Sequence, residues 1–424
     1  MDLYGWDTIY AITSTRINEV LLERGDELII DFDQPMTEEL PVSASGKFDR
    51  WEIVEGGSGS IVYLKLHIGE GTATLDLGEE RMVDLAGGHL IASMELRLLP
   101  NTKSESEDLV FHIEGVGEEA KRNEPGMISP VHFELPDEEL SSLESISLTY
   151  ALLEYIVDNA EQISFVFANI NLVPPETNSW LTPVHSGFVY ADRIGNEGMF
   201  GILSVVSDKD IEKLPLEIPP ELLETTYEAA YGISQELFLS EVIMPELPVV
   251  FGNGASLSDF EYSEGNRGIV NVGNIKLDPV KEGLITYHPE LTRLIMTTNS
   301  EGLDSNMDGR CDLQLGIWMY FATRHRNACK FHASDLSIEF LRDNDASWAD
   351  HADIPWYLSL VTLGIVDVVV SFIKDGIAND LAKDLSDKVS LARHPPTSIQ
   401  WRGTSDLDVK DAGVNIGFYM EGNL

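Results

Sequence analysis

Two stretches of alternating apolar and polar residues meet at a glycine-rich joint near the start of the chain. Phe48-Asp49-Arg50-Trp51-Glu52-Ile53-Val54 leads through Glu55 into Gly56-Gly57-Ser58-Gly59, and a second alternating run follows from Ile61 to Ile68. Side chains with a period of two line opposite faces of a strand. Each run therefore specifies a strand with one buried face, and together they specify a hairpin. Glycine reaches positive φ without steric cost, which makes the joint a hinge able to curve a sheet sharply. A phosphate cradle uses similar glycines, but it also needs a Lys-Ser/Thr pair and a following helix, and neither is found after Gly59.

Further strands are expected near Leu28 to Phe32, Thr72 to Leu77, Leu90 to Leu99, Leu109 to Val116 and Val131 to Leu135, the lengths of a meander. Residues 6 to 24 read as a helix, with Trp6, Ile9, Tyr10, Ile17, Val20 and Leu21 on one face and Gly25 at its end. A second helix is expected from about Leu143 to Asp158, with Ile146, Tyr150, Leu153 and Val157 on its apolar face, leading into a strand from Ile163 to Leu172. Pro215, Pro219 and Pro220 then interrupt the pattern and divide the chain into 1–215 and 216–424. Beyond them the pattern predicts a helix from about Glu221 to Met244. Strands follow near Gly268 to Asn274, Gly283 to Tyr287, Leu291 to Thr297, Leu313 to Thr323 and Leu336 to Leu341.

Asp353 and Pro355 signal the start of a last long helix. Its run from Trp356 to Ile373 is strongly apolar, yet falls just short of the roughly 20 residues that cross a bilayer. It also contains Asp367, whose burial at a bilayer centre costs about 2.5 to 3.5 kcal/mol. The line Leu363, Val366, Val370, Ile373, Ile377, Leu381, Leu385 continues past its end on one face. A buried spine is expected here, not a membrane span.

Charge narrows the partners. Lys plus Arg number 28 against 72 Asp plus Glu, a formal charge of -44. The summed field repels nucleic acid and bulk anionic membrane, so an anionic ligand would need a local basic patch. Arg324, Arg326 and Lys330, with His325, form the densest basic group and are the headgroup candidates. The first residues carry no basic segment and apolar core of the signal-peptide kind, so synthesis in the cytoplasm is expected. Two cysteines, Cys311 and Cys329, are too few for a disulfide framework; they read as two buried thiols or one hairpin-spanning bridge.

Reactive constellations are sparse. The sequence has no nucleophile elbow, zinc-protease helix, phosphate loop or dinucleotide fingerprint, so no catalytic residues and no cofactor are expected. Ten histidines show no metal-ligand spacing. Asp304-Ser305-Asn306-Met307-Asp308-Gly309 does place oxygens at the first, third and fifth positions and glycine at the sixth, as a calcium loop does. Leu315 stands where the bidentate glutamate would be needed, and turn chemistry around Asp308-Gly309 explains the same residues as a hairpin connection.

The hairpin with Trp51, Gly56, Gly57, Ser58 and Gly59 does not stand alone. Tyr4-Gly5-Trp6-Asp7, Phe165-Val166-Phe167-Ala168-Asn169-Ile170-Asn171 with Trp180-Leu181 and Pro183, Ile233 to Leu239 running into Met244-Pro245, and Ile399-Gln400-Trp401 follow in order. In these motifs the chain resembles the OrfX family of accessory proteins encoded beside clostridial neurotoxins, a family similar in fold to the tubular lipid-binding (TULIP) proteins. The resemblance implies an α+β fold of two TULIP-like halves, each a twisted antiparallel sheet wrapped around a long α-helix. An incomplete fit between helix and sheet would leave an apolar groove for a lipid or acyl chain, lined by Trp6, Ile9, Tyr10, Trp356, Leu360, Leu363, Val366 and Val370. Phosphoinositide recognition, which the resemblance also implies, is not carried over to so acidic a chain.

Two functions are open at this point. One is a non-catalytic toxin-accessory protein with a lipid groove. The other is an assembly protein that docks a toxin or another OrfX-type protein through its acidic surface and binds no lipid.

Overall fold

The computed structural model describes residues 1–38, 40–117, 124–136, 139–173, 179–193, 196–282, 284–312, 318–341, 347–352, 392 and 396–424. It is mostly antiparallel sheet with few helices. The elements begin with β1 (Thr8–Thr13), α1 (Ser14–Glu23), β2 (Asp31–Gln34), β3 (Val42–Gly59), β4 (Ile61–Asp76) and β5 (Glu80–Asp84). Next come β6 (His89–Pro100), β7 (Ser106–His112), β8 (Gly115–Val116), β9 (Met127–Glu134), α2 (Ser142–Asp158) and β10 (Val166–Asn171). Then follow β11 (His185–Arg193), β12 (Asn196–Val205), α3 (Pro220–Leu223), β13 (Ala229–Ile233), α4 (Gln235–Phe238) and α5 (Leu247–Phe251). The strands β14 (Phe260–Ser263), β15 (Gly268–Asn271), β16 (Ile275–Lys276), β17 (Val280–Glu282), β18 (Ile285–Tyr287) and β19 (Pro289–Thr298) come next. The chain closes with β20 (Gly302–Asp312), β21 (Trp318–His332), β22 (Ser337–Phe340), β23 (Ser347–Ala352), β24 (Ile399–Trp401), β25 (Asp408–Asn415) and β26 (Gly417–Asn423).

Two compact units interleave along the sequence. Unit one comprises Met1–Thr8, Ala230–Pro396 and Leu407–Asn423; unit two comprises Ile9–Ala229, Thr397–Asp406 and Leu424. The chain passes from one unit to the other after Thr8, Ala229, Pro396, Asp406 and Asn423.

In unit two the strands run in the order β24-β10-β7-β6-β4-β3-β11-β12-β1, with β2, β5 and β9 as side branches and β8 parallel to β9. The predicted hairpin is its longest pair. Even-numbered residues of β4 from Val62 to Ile68 are buried, whereas β3 buries Val42, Ala44 and Phe48, then Trp51 and Ile53. The change of parity between Phe48 and Trp51 coincides with register shifts around Phe48 and Arg50, a bulge that bends the strand. Beneath the sheet a relay of rings fills the core. Phe48, Trp51, Phe111, Phe167, Phe200 and Trp401 follow one another at centroid separations between 4.9 and 6.4 Å. Aromatic pairs of this kind each contribute about 0.5–1.5 kcal/mol beyond the burial of their area.

Helix α2 forms as expected, opened by a capping box in which the Ser141 hydroxyl accepts from the Glu144 N–H and the Glu144 carboxylate accepts from the Ser141 N–H. Its buried stripe is Leu148, Leu152 and Ile156 with Ala151 and Leu153, so the apolar face is rotated from the expected one, and Ile146 is exposed.

Two helix expectations fail for identifiable reasons, and the two cysteines stay free as the first of their two readings has it. The helix expected over residues 6 to 24 begins only at Ser14, because Thr8-Ile9-Tyr10-Ala11-Ile12-Thr13 is rich in β-branched residues and forms a strand buried at every position. Thr13 then caps α1 by accepting from the Arg16 N–H. The long helix expected from Glu221 is broken by β13, whose Ala229 to Ile233 are all buried, and Ser234 starts a new helix with its hydroxyl on the Leu237 N–H. Both cysteines are free; Cys311 pairs across strands with Met319 and Cys329 with Phe340, so no bridge spans the hairpin.

Unit one contains β13-β26-β25 and the antiparallel series β14-β15-β19-β20-β21-β22, to which β16 and β23 add, with β17 and β18 as a separate pair. The last long helix, Trp356 to Ile373 and beyond, lies outside the described residues. No helix among the described residues is long and apolar enough to cross a membrane.

Candidate functional site

The groove candidates fall into two sets. Trp6, Ile9 and Tyr10 are 1%, 0% and 5% exposed, and Tyr10 meets Trp401 edge-on at 6.3 Å. They fill the interior and face no solvent. Trp356, Leu360, Leu363, Val366 and Val370 lie outside the described residues.

The glycine joint fastens two strands together. Gly56 and Gly59 hold φ of 117° and 63°, and a Cβ at Gly57 would come within 2.9 Å of the Tyr190 ring. The Gly56 N–H donates to Asp192 Oδ2 at 2.8 Å while the Tyr190 hydroxyl donates to Asp192 Oδ1 at 2.8 Å. Burial, with the Asp192 carboxylate beside it, pushes the Tyr190 hydroxyl well above the usual phenol range, so it stays a donor. Trp51 is buried and its indole N–H donates to the Ile29 carbonyl at 3.1 Å. Ser58 is exposed at the tip, where it pairs with Ala191 of β11. These residues carry architecture.

The basic group and the calcium candidates turn out to be cross-strand neighbours. Arg324, Arg326 and Lys330 occupy the outward face of β21, and His325 between them points inward against Thr323. Arg324 donates to Asn306 at 2.7 Å and Arg326 to Asp304 at 3.1 Å, while Arg293 pairs with Asp308 at 3.2 Å. The stretch with calcium-loop spacing is therefore the middle of β20, and the hairpin connection expected around Asp308-Gly309 is not formed there. Alternate residues of a strand stand about 6.5 Å apart, so Asp304, Asn306 and Asp308 cannot jointly reach one ion with arms of about 2.4 Å.

What sequence spacing misses is a row of imidazoles on the outward face of unit two. The register sets His67 of β4 opposite His89 of β6, and His89 opposite Glu134 of β9. The rings of His67 and His89 lie 6.2 Å apart and those of His89 and His132 6.0 Å apart. His67 Nε2 lies 2.8 Å from Glu52 Oε2 on β3. At the other end of the row, Glu134 Oε2 stands 3.8 Å from His89 Nε2 and 3.5 Å from His132 Nε2. Burial first, then the Lys65 ammonium, holds the His89 imidazole below the usual histidine range. Each histidine sits on a different strand. Only the outward parity of all three within alternating runs could have flagged them.

Two open clefts of about 900 and 870 Å³ flank the start of α1 in unit two. Thr13, Asp192 and Arg193 line the first, with Glu224 and Glu228; Arg193 donates to the Thr225 carbonyl. The second runs between α1 and β3, where the Asn18 amide bonds both backbone groups of Ile53, at 2.8 and 3.0 Å, and so imitates a neighbouring strand.

Comparison with known proteins agrees with the family resemblance. The family model described as OrfX-like, protein OrfX2/OrfX3/P47, matches residues 3–419. Protein P47 of Clostridium botulinum (strain Kyoto / Type A2) is 24% identical, with all of both chains aligned. Protein OrfX3 of the same strain is 23% identical over 74% of this chain and 69% of its own length. Among solved structures, P47 from Clostridium botulinum A2 superimposes with a TM-score of 0.80 at 22% identity, covering 100% of this chain and 98% of that one.

Proposed function

The chain belongs to the OrfX-like family, and on that premise we propose that it is a non-catalytic accessory protein of the OrfX type, acting by binding a toxin or another OrfX-type protein. The observation that carries this reading is the extent of the family match, from residue 3 to residue 419, together with alignment of the P47 relative along its whole length. The excess of acidic over basic residues favours docking of a basic protein surface, since complementary charge steers association and excludes wrong partners. The interior packing of Trp6, Ile9 and Tyr10 favours protein docking over an acyl ligand at those three positions.

Purified chain mixed with proteins encoded beside it, analysed by size exclusion at rising salt, tests the reading. A complex formed at low salt should dissociate toward 1 M, where the screening length falls to about 3 Å. Native mass spectrometry of the same sample should give the bare chain mass. A stoichiometric lipid adduct without any protein complex would instead support an apolar groove and overturn the docking reading.

A further inference from the structure

We propose that His89, His132 and Glu134 form a binding site for a divalent transition-metal ion of the zinc class on the outward face of unit two. One ligand atom from each lies within 4.8 Å of the others. In a tetrahedral site with arms of about 2.0–2.1 Å, ligand atoms stand roughly 3.3 Å apart. The observed 3.5 and 3.8 Å from the Glu134 carboxylate oxygen to the two imidazole nitrogens need only small side-chain adjustments to reach that spacing. Both separations exceed a good hydrogen bond of about 2.7–3.2 Å, so the three polar heads converge in a looser arrangement than direct hydrogen bonding would give.

The framework supports the geometry. His132 and Glu134 share one face of β9 as alternate residues, and the β6–β9 register delivers His89 from the neighbouring strand. His89 is half-buried whereas His132 and Glu134 are exposed, so an ion enters from solvent onto one fixed ligand and two adjustable ones. Two imidazoles and a single carboxylate match zinc, cobalt or nickel better than magnesium or calcium, which take all-oxygen sets. Three protein ligands leave a fourth position for water or for a donor from outside the chain. His67 is held by Glu52 and lies beyond the set.

Untagged, chelator-treated full-length protein should take up one equivalent of Co²⁺ with visible absorption bands that Zn²⁺ abolishes. H132A and E134Q, both at exposed positions, should each weaken uptake at least ~10-fold, whereas H185A, remote from the set, should leave it unchanged. Circular dichroism of each variant confirms that the fold is retained. Absence of saturable uptake, or uptake equal in wild type, H132A and E134Q, would overturn the assignment.

Discussion

The outward faces of the two units solve the same problem with different chemistry. In unit one, β20 and β21 set arginines against Asp304 and Asn306, and Arg310 pairs with Glu290 while its guanidinium lies over the Trp318 ring at 4.9 Å. In unit two, β3, β4, β6 and β9 set imidazoles against Glu52 and Glu134. Arginine keeps its charge at every accessible pH and holds a carboxylate in a fixed fork, whereas imidazole offers a lone pair as well as a proton. The same strand alternation thus makes one face inert and the other receptive to a cation. Architecture sets where the pairs stand; residue choice sets what they do.

If both faces are ornaments, the largest losses of stability must come from the core beneath them. Phe200 is 0% exposed and touches Phe167, Phe188, Tyr190 and Trp401, so Phe200→Ala should cost about 3–5 kcal/mol in urea denaturation. A cost below about 1 kcal/mol would move the source of stability out of the core and break the comparison.

A second measurement sharpens it by isolating unit one, which holds both cysteines. Burial, and after it the Asp312 carboxylate, pushes the Cys311 thiol up to about 11; burial, and then Asp411, pushes Cys329 up to about 12. Relative to an ordinary thiol, native-state alkylation by iodoacetamide at pH 8 should be slowed ~100-fold or more and recover in urea. Rapid labelling of the native chain would show that the strands carrying these thiols open freely. The smallest effect belongs to the arginine face itself. The Arg326 side chain is 68% exposed, so Arg326→Ala should change the unfolding free energy from urea denaturation by no more than about 1 kcal/mol, and a larger loss would mean the inert face bears weight.

The sequence reveals the Phe48–Ile68 hairpin because period-two alternation and a glycine joint are local signals, and it reveals α2 through the apolar spacing of Ile146, Tyr150, Leu153 and Val157, although the buried stripe is rotated from that line. It misleads where two periodicities coincide. Ligand positions one, three and five of a calcium loop have the spacing of a strand's outward residues, so β20 reads as a loop. Likewise Trp6, Ile9 and Tyr10 fit a helical face, yet the β-branched run around them forms a strand buried on both sides. The imidazole row is legible only after register is known, because His67, His89 and His132 meet across strands that local spacing does not join.

The short strand β24 pairs Trp401 with Ala168 and Ile399 with Ile170, completing the edge of unit two next to β10, and Arg402 adds an ion pair with Glu27. During translation β10 emerges from the ribosome long before its partner. Until some 230 further residues have been synthesised, its open edge is a template for misplaced strands. Maturation of the earlier-made unit is therefore gated by the arrival of the later-made segment, and a nascent chain halted before Ile399 would be caught with that edge bare.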